Sequence, residues 1–283
     1  MMTTGSAPAP SPPASPRDPT RSDRVFLVAL ILLGGSYLLI LVAMLVADAA
    51  YTSPSQLWKA LRSPEIRYAI HLSFLTCTLT AILSVWVAVP IGYLLARWRF
   101  PGRALVDAAL DIPIVLPPLV IGLSLLILFQ TPPGRAIERV IPVTYAIPSV
   151  ILAQFMVACA FAVRTLRATF DQISPRHEHV ALTLGCSRPQ AFWWVVIPEA
   201  RRGILTAGTL AWARALGEFG PILVFSGATR MKTEVLPTTV FLELSVGNLE
   251  AAVAVSLLMV AAAVAVLLLI RAFGMRDPMG RPL

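Results

Sequence analysis

Long apolar runs along the chain are separated by short joints that are basic, polar or rich in proline. The first run, Val25 to Ala47, contains no charged residue. A helix of about 20 apolar residues crosses the roughly 30 Å hydrocarbon core of a bilayer, so this run predicts a spanning helix. It is longer than the roughly 7–15-residue apolar stretch of a cleaved leader and reads as a retained first span. Five further spans are expected near Ala69–Leu95, Ile112–Phe129, Ile147–Val163, Gly203–Ser226 and Ala251–Ile270. Each run is continuously apolar rather than alternating, which selects helices over a closed barrel. The pattern predicts an all-α integral membrane protein of about six transmembrane helices. Its expected organisation is a disordered cytoplasmic tail over residues 1–24, a transmembrane domain over 25–272 and a cytoplasmic tail over 273–283.

Composition agrees with this class. Hydrophobic residues make up 57% of the chain and charged residues 13%, against about 45–50% and about 25% in a soluble domain. Residues 1–24 are rich in Pro, Ala and Ser and lack the apolar side chains that a core requires. The three cysteines, Cys77, Cys159 and Cys186, form no CxxC pair and suit neither a disulfide framework nor a zinc site. The net charge of +8 comes from arginines at segment ends, with Lys59 and Lys232 the sole lysines. They make no basic stripe interleaved with aromatics, so a nucleic-acid partner is not expected.

The arginines set the orientation instead. Arg17, Arg21 and Arg24, then Arg97, Arg99 and Arg103, the cluster from Arg164 to Arg202, and Arg271, Arg276 and Arg281 all fall on one side of the expected spans. The other side carries fewer basic residues, among them Lys59, Arg135, Arg230 and Lys232. The positive-inside rule therefore places both termini in the cytoplasm.

Two features interrupt the apolar runs. Pro113, Pro117 and Pro118 fall in the third, where missing backbone donors and ring clashes kink or break a helix. Freed backbone groups are tolerated where protein or a wet cavity satisfies them, so this stretch is expected to face the interior of the bundle. Arg214 and Glu218 fall in the fifth, four residues apart and able to pair on one helix face. A structural ion pair and a place beside a translocation path both fit them. Gly217 and Gly220 are expected to allow close helix contact nearby.

The stretch from Arg164 to Arg202 is too polar to span and is strongly patterned. Ser174 followed by Pro175 reads as an N-cap with proline at the first helical position. Ala181 and Leu184 continue the helical spacing, and Gly185 suits a left-handed residue just past the helix end. Ser187 caps a second short helix holding Phe192, Val195 and Val196, which Pro198 is expected to end. Helix–glycine–helix on the cytoplasmic face suits either an interfacial helix resting on lipid or a connector that docks in a groove of a soluble partner.

The run from Glu178 to Gly185, followed by Ile197-Pro198, resembles the EAA loop of permease subunits in binding-protein-dependent ATP-binding-cassette importers. The resemblance assigns Ala181, Gly185 and Pro198 directly. Glu178 stands one residue before the usual glutamate position, which His179 occupies, and Val180 replaces the second residue of the signature. Arg214 to Gly220, Asp111 to Gly122, Leu236-Pro237 and the segment from Asn248 are similar to the molybdate, tungstate and sulfate branch. The resemblance implies a type I importer permease fold with a cytoplasmic coupling-helix loop, about 174–198, between spans 4 and 5. Glu178, Ala181, Leu184, Gly185 and Pro198 would couple to a separate ATPase. Pro117, Pro118, Arg214, Gly217, Glu218 and Gly220 would line the pathway or its gate.

On this reading the chain is no enzyme and binds no cofactor. It has no GxxxxGK[ST] loop, so ATP and Mg belong to a partner ATPase subunit. The implied partners are a second permease copy, the ATPase, an extracytoplasmic oxyanion-binding protein and membrane lipid. The implied location is a prokaryotic inner membrane. Molybdate or tungstate is the expected cargo, with sulfate or thiosulfate as the alternative. A secondary transporter would need an intramembrane acid, for which Glu218 is the candidate, and often paired broken helices. A non-transport scaffold would leave the patterned loop unexplained.

Overall fold

The computed structural model describes residues 21–274, and the outer parts of both expected tails lie outside them. The chain divides into two units, residues 1–50 and 51–283. The first contributes α1 (Arg21–Tyr51), apolar on every face from Val25 to Ala47, as a helix solvated by lipid should be. Its 31 residues reach about 46 Å, enough to cross a bilayer.

The second unit opens with α2 (Pro54–Arg62), capped by Ser53. The long helix α3 (Pro64–Arg97) follows. A bent pair comes next, α4 (Arg103–Val115) and α5 (Pro118–Gln130), and then the short α6 (Pro132–Glu138). The second long helix is α7 (Ile147–Gln172). The polar cytoplasmic segment forms α8 (Pro175–Thr183) and α9 (Arg188–Ala191), and α9 runs on through a π-helical turn, Phe192–Val196, into α10 (Ile197–Leu216). The chain closes with α11 (Gly220–Phe225), α12 (Leu236–Ser245) and α13 (Leu249–Gly274).

The core is the bundle of α3, α7 and α10. These helices meet through buried small residues: Cys77 and Ala88 from α3, Ala158 and Ala162 from α7, Ala207 and Ala211 from α10. In lipid no hydrophobic force drives helices together, so close approach through small side chains does the work. A Cβ at Gly92 would lie 3.0 Å from the Arg167 nitrogen, and one at Gly203 would lie 2.2 Å from the Thr169 side chain. Both glycines let a neighbour close on α7. A buried amide ties the three together: Gln154 Nε2 donates to the Ala215 carbonyl at 3.2 Å, and Thr80 donates to Gln154 Oε1 at 3.2 Å.

Three expectations change. The third span begins earlier than expected, at Arg103, and its prolines break it into a pair of helices meeting at 111°. Leu116 takes an extended conformation before Pro117, as the steric demand of a following proline requires. Pro117 and Pro118 are exposed in the single chain rather than facing the interior of its bundle. Second, Pro198 does not end a helix. The preceding π-turn carries the Ile197 N–H to the Phe192 carbonyl, so the wider turn absorbs the proline and the helix continues. The fifth apolar run therefore begins inside a longer helix and ends in a break at Gly217–Phe219. Third, among the described residues four helices, α1, α3, α7 and α13, are long and apolar enough to cross a membrane, five with the α4–α5 pair. Glu199, Arg201, Arg202 and Arg214 make α10 more polar than its neighbours.

Candidate functional site

The cytoplasmic segment is built as its caps dictate. Ser174 accepts the Arg176 N–H at 3.4 Å, with Pro175 at the first position of α8. The helix stops at Gly185, whose φ of +92° is the left-handed conformation that glycine adopts without strain. Gln190 then reaches back to accept the Ser187 N–H at 2.8 Å, opening α9.

One face of α8 is locked to the bundle. Ala181 is buried, and so is Glu178. Glu178 Oε1 accepts the Tyr93 hydroxyl at 2.6 Å, and its Oε2 lies 3.4 Å from Arg97 Nε, both on α3. Arg97 also donates to the Ile173 carbonyl at 2.9 Å, closing the link to the end of α7. On the outer edge, His177 Nδ1 meets the Glu199 carboxylate at 2.9 Å, beside Pro198 on α10. The other face is open: Val180 is 55% exposed and Leu184 80% exposed. Two apolar side chains thus stand uncovered on a helix whose other face is held by the bundle.

The second group of predicted residues meets at the two helix breaks. A Cβ at Gly220 would lie 3.1 Å from the Leu119 nitrogen and 3.2 Å from Pro118 Cβ. One at Gly122 would lie 2.7 Å from Pro221 Cα. The start of α11 is thus laid against the start of α5, which brings Pro118 and Gly220 together. Gly217 has no such neighbour, since its nearest atoms would be 3.9 Å away. Arg214 Nη1 lies 2.8 Å from Glu218 Oε2 across the end of α10. The approach is out of line for a hydrogen bond, so this is a charge contact. The Glu218 side chain is 1% exposed and that of Arg214 31%. An arginine in the last turn also sits favourably at the negative end of the helix dipole.

The segment between α11 and α12, together with the end of α12, carries a second set of charges. Arg230 donates to Glu243 at 2.8 Å, and Asn248 donates to the other Glu243 oxygen at 2.8 Å. Glu234 is fully buried, and neither of its oxygens has a hydrogen-bond partner of good geometry. Burial pushes its carboxyl above the ordinary value, partly offset by the Thr239 hydroxyl and Arg230.

Residues 88–276, which include the α8 segment and both breaks, match the family described as the binding-protein-dependent transport system inner membrane component. The chain belongs to this family. Among its relatives is the sulfate transport system permease protein CysT of Escherichia coli, 32% identical over 81% of this chain and 84% of that protein. The molybdenum transport system permease protein ModB of Mycobacterium bovis is 36% identical over 86% and 92%. The molybdate/tungstate transport system permease protein WtpB of Pyrococcus abyssi is 34% identical over 67% and 74%. The fold is shared with a bacterial alginate ABC transporter solved in complex with an alginate-bound periplasmic protein, at a TM-score of 0.72 and 14% identity over 88% of this chain and 93% of that one. The chain is a multi-pass membrane protein with the type I importer permease fold, and its family is one of transport permeases.

Several residues of the site carry no local signal. Tyr93 and Arg97 stand more than 75 positions from Glu178 and Ile173 respectively in contacts separated by 85 and 76 residues. Asp107 and Asp111 of α4 pair with Arg167 and Arg164 of α7. Their i, i+4 spacing was the available clue that one face of α4 meets a basic helix. Gly122 was visible as the end of a proline-rich motif, but not as a contact of Pro221.

Proposed function

We propose that this chain forms the translocation pathway of an ATP-driven oxyanion importer, with molybdate or tungstate as its cargo and sulfate as the alternative. The observation that carries the reading is the one-sided α8 helix. It is fixed to the bundle by Glu178 and His177 and presents Val180 and Leu184 outward. A separate ATPase subunit, which uses ATP and Mg, would dock on this face, with Gly185 setting the angle at which the helix is offered. The basic residues around α8 support a cytoplasmic position for this face and for both termini.

A homodimer completes the path. Pro117 and Pro118, exposed in one chain beside the Gly220 break, would face the same break in a second copy. ATP binding would close the two ATPases, draw the α8 helices together and open the pathway toward an extracytoplasmic binding protein. The three named anions are tetrahedral dianions of similar shape. CysT, ModB and WtpB are alike in identity to this chain, so selectivity is assigned to the binding protein.

Affinity purification of the tagged chain from native membranes, with its companions identified by mass spectrometry, tests the reading. A P-loop ATPase is expected to copurify. Titrating the accompanying binding protein with molybdate, tungstate and sulfate then fixes the cargo. Absence of any ATPase, under conditions that keep other importers intact, would overturn the assignment.

A further inference from the structure

The α8 helix is tied to α3 through a contact that the docking role does not require. Glu178 points away from the face that carries Val180 and Leu184 and into the bundle, where the Tyr93 hydroxyl and the Arg97 guanidinium hold it. The Tyr93 ring is itself gripped by Phe192 of the π-turn at 4.7 Å, Phe170 of α7 at 5.7 Å and Trp98 at 5.6 Å. A movement of α8 would therefore bear directly on this end of α3.

The other end of α3 is gripped too. Ser73 Oγ accepts the backbone N–H of Leu236, the first residue of α12, at 2.8 Å, and both groups are buried. The Tyr68 hydroxyl donates to the Lys232 carbonyl at 3.1 Å, four residues earlier. Ser73 and Tyr93 stand on one unbroken helix, about 30 Å apart at 1.5 Å per residue. Pro90, near the Tyr93 end, removes one backbone hydrogen bond from this helix, but the helix runs on to Arg97, so a push at one end arrives at the other.

We propose that α3 is the rod that carries the movement of α8 across the membrane to the segment entering α12, with Tyr93 and Ser73 as positioning residues at its two grips. The proposal rests on the ATPase-docking role given to α8 above. It makes residues 232–236 the place where binding-protein contact on the outer face is felt by the ATPase. Long-range coupling is established by showing that both sites bias one element, not by their lying in line. The test is therefore a cycle between the two grips.

The full assembly of permease, ATPase and binding protein is reconstituted in proteoliposomes, with molybdate, tungstate and sulfate each offered as cargo. ATP hydrolysis is measured with and without the loaded binding protein, together with anion delivered per ATP. Tyr93→Phe removes one hydroxyl and keeps the ring in its cluster. It is expected to retain the ATPase and its unstimulated hydrolysis. The stimulation by binding protein is expected to fall about 5-fold or more, the range of ordinary allosteric coupling. Ser73→Ala is expected to do the same from the other end, with Tyr68→Phe as a milder substitute should Ser73→Ala not assemble. The double variant should be no worse than the stronger single one, since both cut the same rod. Independent structural defects so far apart would instead add. Full stimulation in Tyr93→Phe, or additive losses in the double variant, would overturn the inference while leaving the importer standing. A wild-type assembly that lacks any ATPase would instead remove the docking role itself.

Discussion

Gly122 offers the sharpest test of how the two broken helices fit. A methyl group there would stand 2.7 Å from Pro221 Cα and 2.9 Å from the Pro221 carbonyl oxygen. Those are backbone atoms, and Pro221 is itself buried within α11, so neither partner can turn aside as a long side chain would. Overpacking of this kind costs typically about 1–3 kcal/mol, and a backbone clash belongs at the upper end. At about 2–4 °C per kcal/mol for a chain of this size class, Gly122→Ala should lower the apparent melting temperature in detergent by roughly 4–12 °C. Gly217→Ala is the matched control. Its φ of −85° is open to any residue, and the added atom meets nothing closer than 3.9 Å. Replacing glycine at such a position stabilises by about 0.4–1 kcal/mol through the unfolded chain. Fluorescence-detected size-exclusion after a heat ramp reads both variants. Equal stability of Gly122→Ala and wild type, or an equal loss in Gly217→Ala, would refute the packing of α5 on α11.

Other outcomes follow from the same geometry. Gly185→Val should weaken ATPase copurification. The position has open space, but its left-handed backbone costs a β-branched residue about 1–2 kcal/mol and so re-aims α8; Gly185→Asn should be the milder change, and pull-down yield checks the pair. Glu178→Ala should destabilise by about 3–5 kcal/mol because it strands a buried Arg97, whereas Arg164→Ala, half exposed beside Asp111, should cost at most about 1 kcal/mol; thermal unfolding of the two variants separates these figures. Glu234 binds its proton more tightly in the folded chain than in the unfolded one, because burial raises its pKa. Its contribution to stability is therefore complete below the ordinary value of 4.5 and is lost as pH rises through the higher folded value. Glu234→Gln should remove that falling limb and melt higher than wild type at alkaline pH, as a melting series across pH would record.

Local chemistry made part of this legible. Ser174, Pro175 and Gly185 announce α8 because capping and left-handed turns depend on a few adjacent residues, and the observed caps match them. The apolar runs behind α1, α3, α7 and α13 were equally plain, since burial in lipid demands them. Pro198 misled because proline normally stops a helix, and a π-turn that absorbs it has no sequence signature at this spacing. The 111° bend between α4 and α5 is foreshadowed by three prolines, but the ion pairs that hold α4 on α7 join residues 53 and 60 positions apart. The resemblance to the EAA loop assigns Glu178 to ATPase coupling. Its inward turn toward Tyr93 depends on a helix 85 residues away, which periodicity cannot register.

The central claim is that ATP hydrolysed by a partner on the exposed face of α8 drives anion movement. Uptake of labelled molybdate, tungstate or sulfate into proteoliposomes holding the permease and its ATPase, with binding protein outside, tests it most directly. Uptake should require ATP in the compartment that α8 faces, survive a protonophore, and disappear when the exposed Leu184 is replaced by aspartate. Uptake that proceeds without ATP and collapses with the protonophore would contradict the account and make Glu218 the centre of an ion-coupled carrier.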